Sequence, residues 1–227
     1  MLLERLLDVA VRAEDYGKAA GLRDERAAVL NALPLEQQTI QLALAELRTG
    51  ATPARRAAAV ATLSTSGDAR LARCVAPALH DVDADVASEV ESCLWTLWMR
   101  SGDEGVDALM QRGMSALRAA PMSGEEALLE ALAAFTQASQ AMPDFAEAHN
   151  KRATVLFILR RYKEALDVCS TVLSLNPYHF GALSGAGMCC LNTGDDDAAL
   201  QWFTQALAIH PRLDGAKEYI QRKRKGT

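Results

Sequence analysis

The sequence predicts an all-α protein built from antiparallel helix pairs, and three observations predict it. Hydrophobic residues make up 50% of the 227 residues but aromatics only 5%, with alanine and leucine supplying most of the rest. That balance suits closely packed helices rather than a β-sandwich, which would draw on Val, Ile, Thr and aromatics. Pro143, Pro177 and Pro211 recur every 34 residues, as do Ala131, Ala165 and Ala199, each followed by leucine. A fixed period of this length marks stacked helical hairpins. Phe135, Cys169 and Phe203 keep the same step, as do Ala138, Val172 and Ala206, and Ala153 and Gly187 add a further register.

In chain order, the first element is the string LLDVAVRAEDYGKAAGLRDERAAVLNAL within residues 1–47. It reads as an Ala/Glu/Arg-rich amphipathic helical pair. Through Ala13-Glu14-Asp15-Tyr16, Ala19-Ala20 and Leu22-Arg23-Asp24 it also resembles the UVR motif, a short helical hairpin first known from the UvrB and UvrC repair proteins. The resemblance implies an N-terminal hairpin that docks onto another protein through Glu14, Asp15, Tyr16, Arg23 and Asp24. It also implies an organellar or bacterial setting, with the chloroplast stroma favoured and the cytoplasm as the alternative.

Residues 51–105 are expected to form further short helices. The stretch ALHDVDADVASEVESCLWTLWMRSGD resembles a HEAT-like helix pair, with Asp81-Val82-Asp83 as its turn and Asp83 as an N-cap. Trp95 and Trp98 share one helical face and read as a buried seam onto the first of the following hairpins rather than as a stacking platform for a ligand.

Residues 106–227 carry the period. Small residues at Ala153, Gly187, Ala165 and Ala199 let paired helices approach closely, Phe135 and Phe203 fill the space between hairpins, and each proline stops a second helix. Gly194-Asp195 marks a tight turn, and Arg160-Arg161-Tyr162 occupies the same stretch one period earlier. The segments AEAHNKRATVLFILRRYKEALDVCSTVLSLNP and GALSGAGMCCLNTGDDDAALQWFTQALAIHP resemble tetratricopeptide repeats. That resemblance implies a right-handed α-solenoid with a degenerate repeat at 106–145, repeats at 146–179 and 180–213, and a covering helix at 214–225. The usual large aromatic early in the first helix is replaced by His149 and Leu183.

The chain offers little for chemistry. His80, His149, His179 and His210 lie far apart with no metal-ligand spacing, and no P-loop, G-x-S-x-G or G-x-G-x-x-G is present. His179 and His210 flank helix-ending prolines, where a histidine meets the negative end of a helix dipole. Asp195, Asp196 and Asp197 read as a cap with dipole-matched acids. Five cysteines without a C-x-x-C pair speak for a reducing compartment; a redox role for the adjacent Cys189 and Cys190 is the lesser reading. No stretch has the ~20 apolar residues of a membrane span.

No catalytic residue, cofactor or metal site is therefore expected, and the chain reads as a non-enzymatic adaptor, scaffold or assembly factor. First helices of stacked pairs line the groove of such arrays. That register selects Asn150, Lys151, Thr154, Phe157 and Ile158 from one hairpin and Gly181, Ser184, Met188, Leu191 and Asn192 from the next. The expected occupant is a protein or peptide; no small-molecule substrate is evident. Nucleic acid is the alternative, through Arg222, Lys223, Arg224 and Lys225, and the net charge of −5 opposes it.

Overall fold

The computed structural model describes residues 15–225 together with 9, 12 and 13, and every regular element among them is helical. The chain divides into two bodies, Met1–Ser66 and Gly67–Thr227. The break follows Ser66, and the tryptophan-bearing segment lies in the second body.

In the first body, α1 (Tyr16–Asn31) starts at Asp15, whose carboxylate accepts the Lys18 N–H at 3.0 Å. It buries only Ala19. The paired helices here are α2 (Leu35–Thr49) and α3 (Pro53–Ser66), joined through Gly50. Ala43, Leu44 and Leu47 of α2 and Ala59, Val60 and Leu63 of α3 form the apolar stripes that the pair buries.

The second body opens irregularly. Gly67 takes φ 68°, a left-handed conformation open to glycine at no steric cost. A 3₁₀ turn, α4 (Ala72–Val75) and a second 3₁₀ turn follow before α5 (Ala84–Trp98). Asp83 caps α5 as expected, accepting from the N–H groups of Asp85 and Val86. The rest of the HEAT-like pair is corrected: its first helix is broken into short turns, with Pro77 at the start of the second.

α6 (Glu104–Ala141) is two helical arms broken at Gly124, whose φ 68° and ψ −147° suit glycine alone. It is followed by α7 (Ala146–Ile158), α8 (Tyr162–Leu175), α9 (Phe180–Thr193), α10 (Asp196–Ile209) and α11 (Asp214–Lys225). These form successive hairpins: the two arms of α6, then α7 with α8, then α9 with α10. α11 lies over the last face, with Tyr219 against Phe203 at 5.1 Å. The first hairpin is made by the two arms of α6. Gly113 meets the Phe135 ring, as Gly187 meets Phe203; a Cβ on either glycine would lie 2.6 or 2.8 Å from the ring. Twenty-two residues separate the first pair and sixteen the second, so the first hairpin carries a connection six residues longer.

The core is a series of clusters, one per junction, as the repeat register requires. Phe135, Ala138, Phe145 and Val155 join the first hairpin to α7; Ala153, Ala165, Cys169 and Ala186 join α7 and α8 to α9; Cys190, Ala199, Phe203 and Tyr219 close the end.

Candidate binding groove

The first helices α7 and α9 of successive hairpins lie beside each other along one face. Between α7 and α9 this face holds a cavity of about 160 Å³, floored by Cys169 and Cys189 and walled by Thr154, Phe157, Gly185 and Met188. Its size follows from the sequence. Gly181 and Gly185 supply no side chain, and the α8 thiol of Cys169 lies within 3.4 Å of where a Gly185 Cβ would stand. Around the first arm of α6 a second hollow, about 530 Å³, is lined by Met99, Met110, Met114, Arg100 and Arg118. The period could not place these, because the longer connection moves the first arm out of the 34-residue register.

The sequence-selected residues divide by environment. Thr154, Phe157, Gly181 and Met188 line the cavity, with Met188 41% exposed. Ile158 is exposed beside it, Ser184 is half-buried, and Leu191 packs into the terminal cluster. The Asn192 amide donates to the Met188 carbonyl. Asn150 lines the cavity too but is buried, and its amide donates to Glu147 Oε2 at 3.1 Å. Lys151 lies 3.0 Å from Glu147 Oε1 with its ammonium over the Trp95 ring. On α1, Tyr16, Arg23 and Asp24 are exposed and Asp15 serves as the cap; Glu14 lies outside the described residues.

Glu147 is the centre of a network that sequence reasoning missed. Its Oε2 also receives the ring of His179, fully buried, at 2.8 Å. His179 Nδ1 accepts the N–H of Ala182 at 3.1 Å, so this nitrogen carries no proton and Nε2–H donates to the carboxylate. His179 is therefore the N-cap of α9, not a cation at the end of α8. Burial pushes the Glu147 carboxyl up, but the His179 hydrogen bond and the charge of Lys151 outweigh it and hold the group below its usual value. His210 repeats the pattern: its Nδ1 accepts from Arg212 N–H, and its Nε2 faces Glu91 at 3.1 Å.

Trp98 stacks on His179 with centroids 4.4 Å apart, and Trp95 meets Phe180 edge-on at 5.2 Å. The tryptophan seam is real, but it docks on the start of α9 rather than on the first hairpin. Arg212 extends the junction by donating to the carbonyls of Leu79 and Asp81. Spacing gave no clue to this junction, since its partners lie about a hundred residues apart in the chain.

Burial also pushes the thiols up, Cys169 to about 12 and Cys189 to about 11, with Cys190 raised as well. A redox role for Cys189 and Cys190 loses its basis, because a reactive thiol needs a lowered value. Among the described residues no group of His, Cys, Asp or Glu side chains could hold a metal ion, and no helix is long and apolar enough to cross a membrane.

Family models described as Tetratricopeptide repeat match residues 123–180 and 156–217. A TPR repeat-containing protein of Rhizobium etli is 31% identical over 157 residues, covering 69% of this chain and 74% of the relative. The chain belongs to the tetratricopeptide repeat family. The first arm of α6 falls outside both matched stretches, as its longer connection explains. Solved tetratricopeptide structures with similar folds include the first TPR of Spaghetti (RPAP3) bound to an HSP90 peptide (18% identity, 53% of this chain and 91% of that one, TM-score 0.48). The N-terminal domain of STI-1 from C. elegans is 19% identical over 54% of this chain and 97% of its own, at TM-score 0.47. YrrB, described as a TPR protein with an unusual peptide-binding site, is 19% identical over 72% and 82%, also at 0.47. Family membership rests on the rhizobial relative and the repeat models, not on these likenesses.

Proposed function

We propose that this tetratricopeptide repeat protein is a non-enzymatic adaptor that holds a peptide segment of a partner protein along the first-helix face. The observation that carries this is the cavity between α7 and α9. Glycines open it, and a flexible, partly exposed methionine lines it beside an exposed Ile158. Such side chains fit an apolar peptide residue without a fixed shape of their own. The hollow around Met110 and Met114 continues the same chemistry along the face of the first hairpin. Thr154 and Asn192 supply polar edges; Asn150 and Lys151 contribute less than their sequence positions imply, being committed to Glu147.

The UVR-like string in α1 is proposed as a second docking element, supported by the exposure of Tyr16, Arg23 and Asp24. An assembly-factor role and a chloroplast stromal setting rest on that resemblance alone, and the relative the chain matches is a bacterial protein. The nucleic-acid reading gains nothing from the basic run, where Lys223 is already engaged by Asp196.

Partner capture from the native source tests the proposal, comparing the intact chain with Thr154→Arg, Met188→Arg and a chain starting at Gly67. Thr154 and Met188 are exposed, so the arginines disturb the groove while leaving the fold. Loss of the partner with both arginine variants is the expected result. Retention with them, and loss only on removing residues 1–66, would move the binding function to the first body.

A further inference from the structure

A second cleft, which shares Arg100 with the hollow around the first arm of α6, lies where the irregular segment after Gly67 meets the turns that precede α7 and α9. It has a volume of about 730 Å³, ample for several peptide side chains. Its lining includes Arg70 from the 3₁₀ turn before α4, Arg73 of α4 and Arg100 from just beyond α5, together with Leu175 at the end of α8 and Tyr178 from the turn that follows. Trp98 forms part of the lining.

The charges in this cleft are unevenly satisfied. Arg70 is neutralised by a two-pronged bond to Asp68. Arg73 and Arg100 are exposed and make no ion pair among the described residues. The carboxylate of Glu147 lines the cleft; its Oε2 accepts from His179 and Asn150, and its Oε1 pairs in charge with Lys151 without a hydrogen bond. Asp144, at the rim, is the opposing acid that stays exposed.

An independent observation points to a missing acceptor. The indole N–H of Trp98 is buried and has no hydrogen-bond partner, on a residue only 6% exposed. A buried donor left unpaired loses its hydration with no return, so an orphaned one calls for an explanation. Arg73 and Arg100, which make no ion pair among the described residues, the exposed Tyr178 and Trp98, whose buried indole N–H is unpaired, all line one cleft, with Leu175 and Met142 as apolar neighbours. Guanidinium forks match carboxylates two bonds at a time.

We infer that this cleft is a second binding site, which takes an acidic side chain, flanked by apolar residues, from an extended segment of a protein partner. The carboxylate lies between Arg73 and Arg100, and one oxygen supplies the acceptor that Trp98 lacks. The apolar neighbours rest against Leu175 and Tyr178. A polyphosphate chain, which carries several charges, fits less well than a single carboxylate, because Asp68 already takes Arg70 and only Arg73 and Arg100 of the lining stay without an ion pair among the described residues. The proposal does not depend on a peptide occupying the first-helix groove.

The test titrates the full chain with the peptide acetyl-Leu-Glu-Leu-Asp-Leu-amide, its Gln/Asn counterpart, and inorganic phosphate. Affinity is read by fluorescence anisotropy, and the Trp98 indole N–H by NMR, assigned with Trp98→Phe. The acidic peptide is expected to shift the Trp98 indole resonance. Its affinity should fall at least tenfold for the Gln/Asn counterpart and for the Arg73→Ala, Arg100→Ala double variant, whose unchanged melting temperature would confirm the fold. Met188→Arg should leave this affinity as it is. Equal binding of both peptides, full affinity in the double variant, or no binding at millimolar peptide would overturn the inference. So would a phosphate titration that reproduces the indole shift and displaces the peptide, since the site would then read any anion. Loss of binding in Met188→Arg alone would place the peptide in the first-helix groove and overturn the cleft while leaving the adaptor reading intact.

Discussion

Glu147 has no exposed side-chain surface, yet it accepts from His179 and Asn150 and forms an ion pair with Lys151. Removing its charge strands Lys151, whose side chain is only 18% exposed, and weakens the anchor of the α9 cap. Breaking a buried pair from one side costs about 3 kcal/mol or more. Glu147→Gln should therefore lower the denaturant midpoint by a corresponding amount without changing its slope. The sign with pH follows from the direction of the shift. A carboxyl held below its ordinary 4.5 stabilises the fold at neutral pH, and that contribution fades only as pH drops through the lowered value. Wild type should thus lose stability more steeply than Glu147→Gln as pH falls below the ordinary 4.5; parallel curves would show that Glu147 is not the titrating group. Half of this network is legible in the sequence, because Asn150 and Lys151 follow Glu147 at helical spacing. The other half is not. His179 stands 32 residues away, and only the stacking of α7 on α9 brings it to the carboxylate. For that reason Asn150 and Lys151 read as groove anchors from spacing alone.

At the scale of single elements, the turns between paired helices show where the repeat pattern is obeyed and where it is not. Gly194 ends α9 with φ 82°, in the left-handed region that glycine enters freely. One period earlier Arg160 holds φ 61°, a conformation that strains any side chain with a Cβ. Arg160→Gly should relax that strain and raise stability by roughly 1 kcal/mol, partly offset by the greater freedom of glycine in the unfolded chain. A melting temperature a few degrees higher would show it; a fall would mean that the arginine side chain contributes more than its backbone costs. The periodicity exposed α7, α8, α9 and α10 because small residues, turn and proline all recur in step. It hid the first arm of α6, because the longer connection through Pro121 and Gly124 breaks the step while leaving the packing of Gly113 on Phe135 intact.

For the molecule as a whole, the segment between Gly67 and Arg100 is part of the repeat body rather than a neighbour of it. Trp95, Trp98 and Glu91 meet His179, Phe180 and His210, while Leu79 and Asp81 accept from Arg212. A chain beginning at Gly67 should keep the melting transition of this body. A chain beginning at Ser101 should melt about 10 °C lower or more, since losing a buried tryptophan alone costs about 3–5 kcal/mol. Equal melting of the two would show that the segment adds nothing to the array. Composition made the helical class plain, and 34-residue spacing made the array plain. The docking of an early segment on the last turns has no periodic signature, since each of its contacts occurs once.

That junction changes what kind of object the array is. Open solenoids have two ends, and their terminal hairpins fray first because each holds only one neighbour. Here the turn between α10 and α11 is gripped by residues more than a hundred positions earlier, so the last hairpin is no longer an end. Loss of the terminal hairpin would also strip the cover from Trp98, which couples the two extremities into one unfolding event. The same closure sets an order on biosynthesis: the tryptophan helix leaves the ribosome about a hundred residues before its partner, and its apolar face stays unmatched until α9 has emerged.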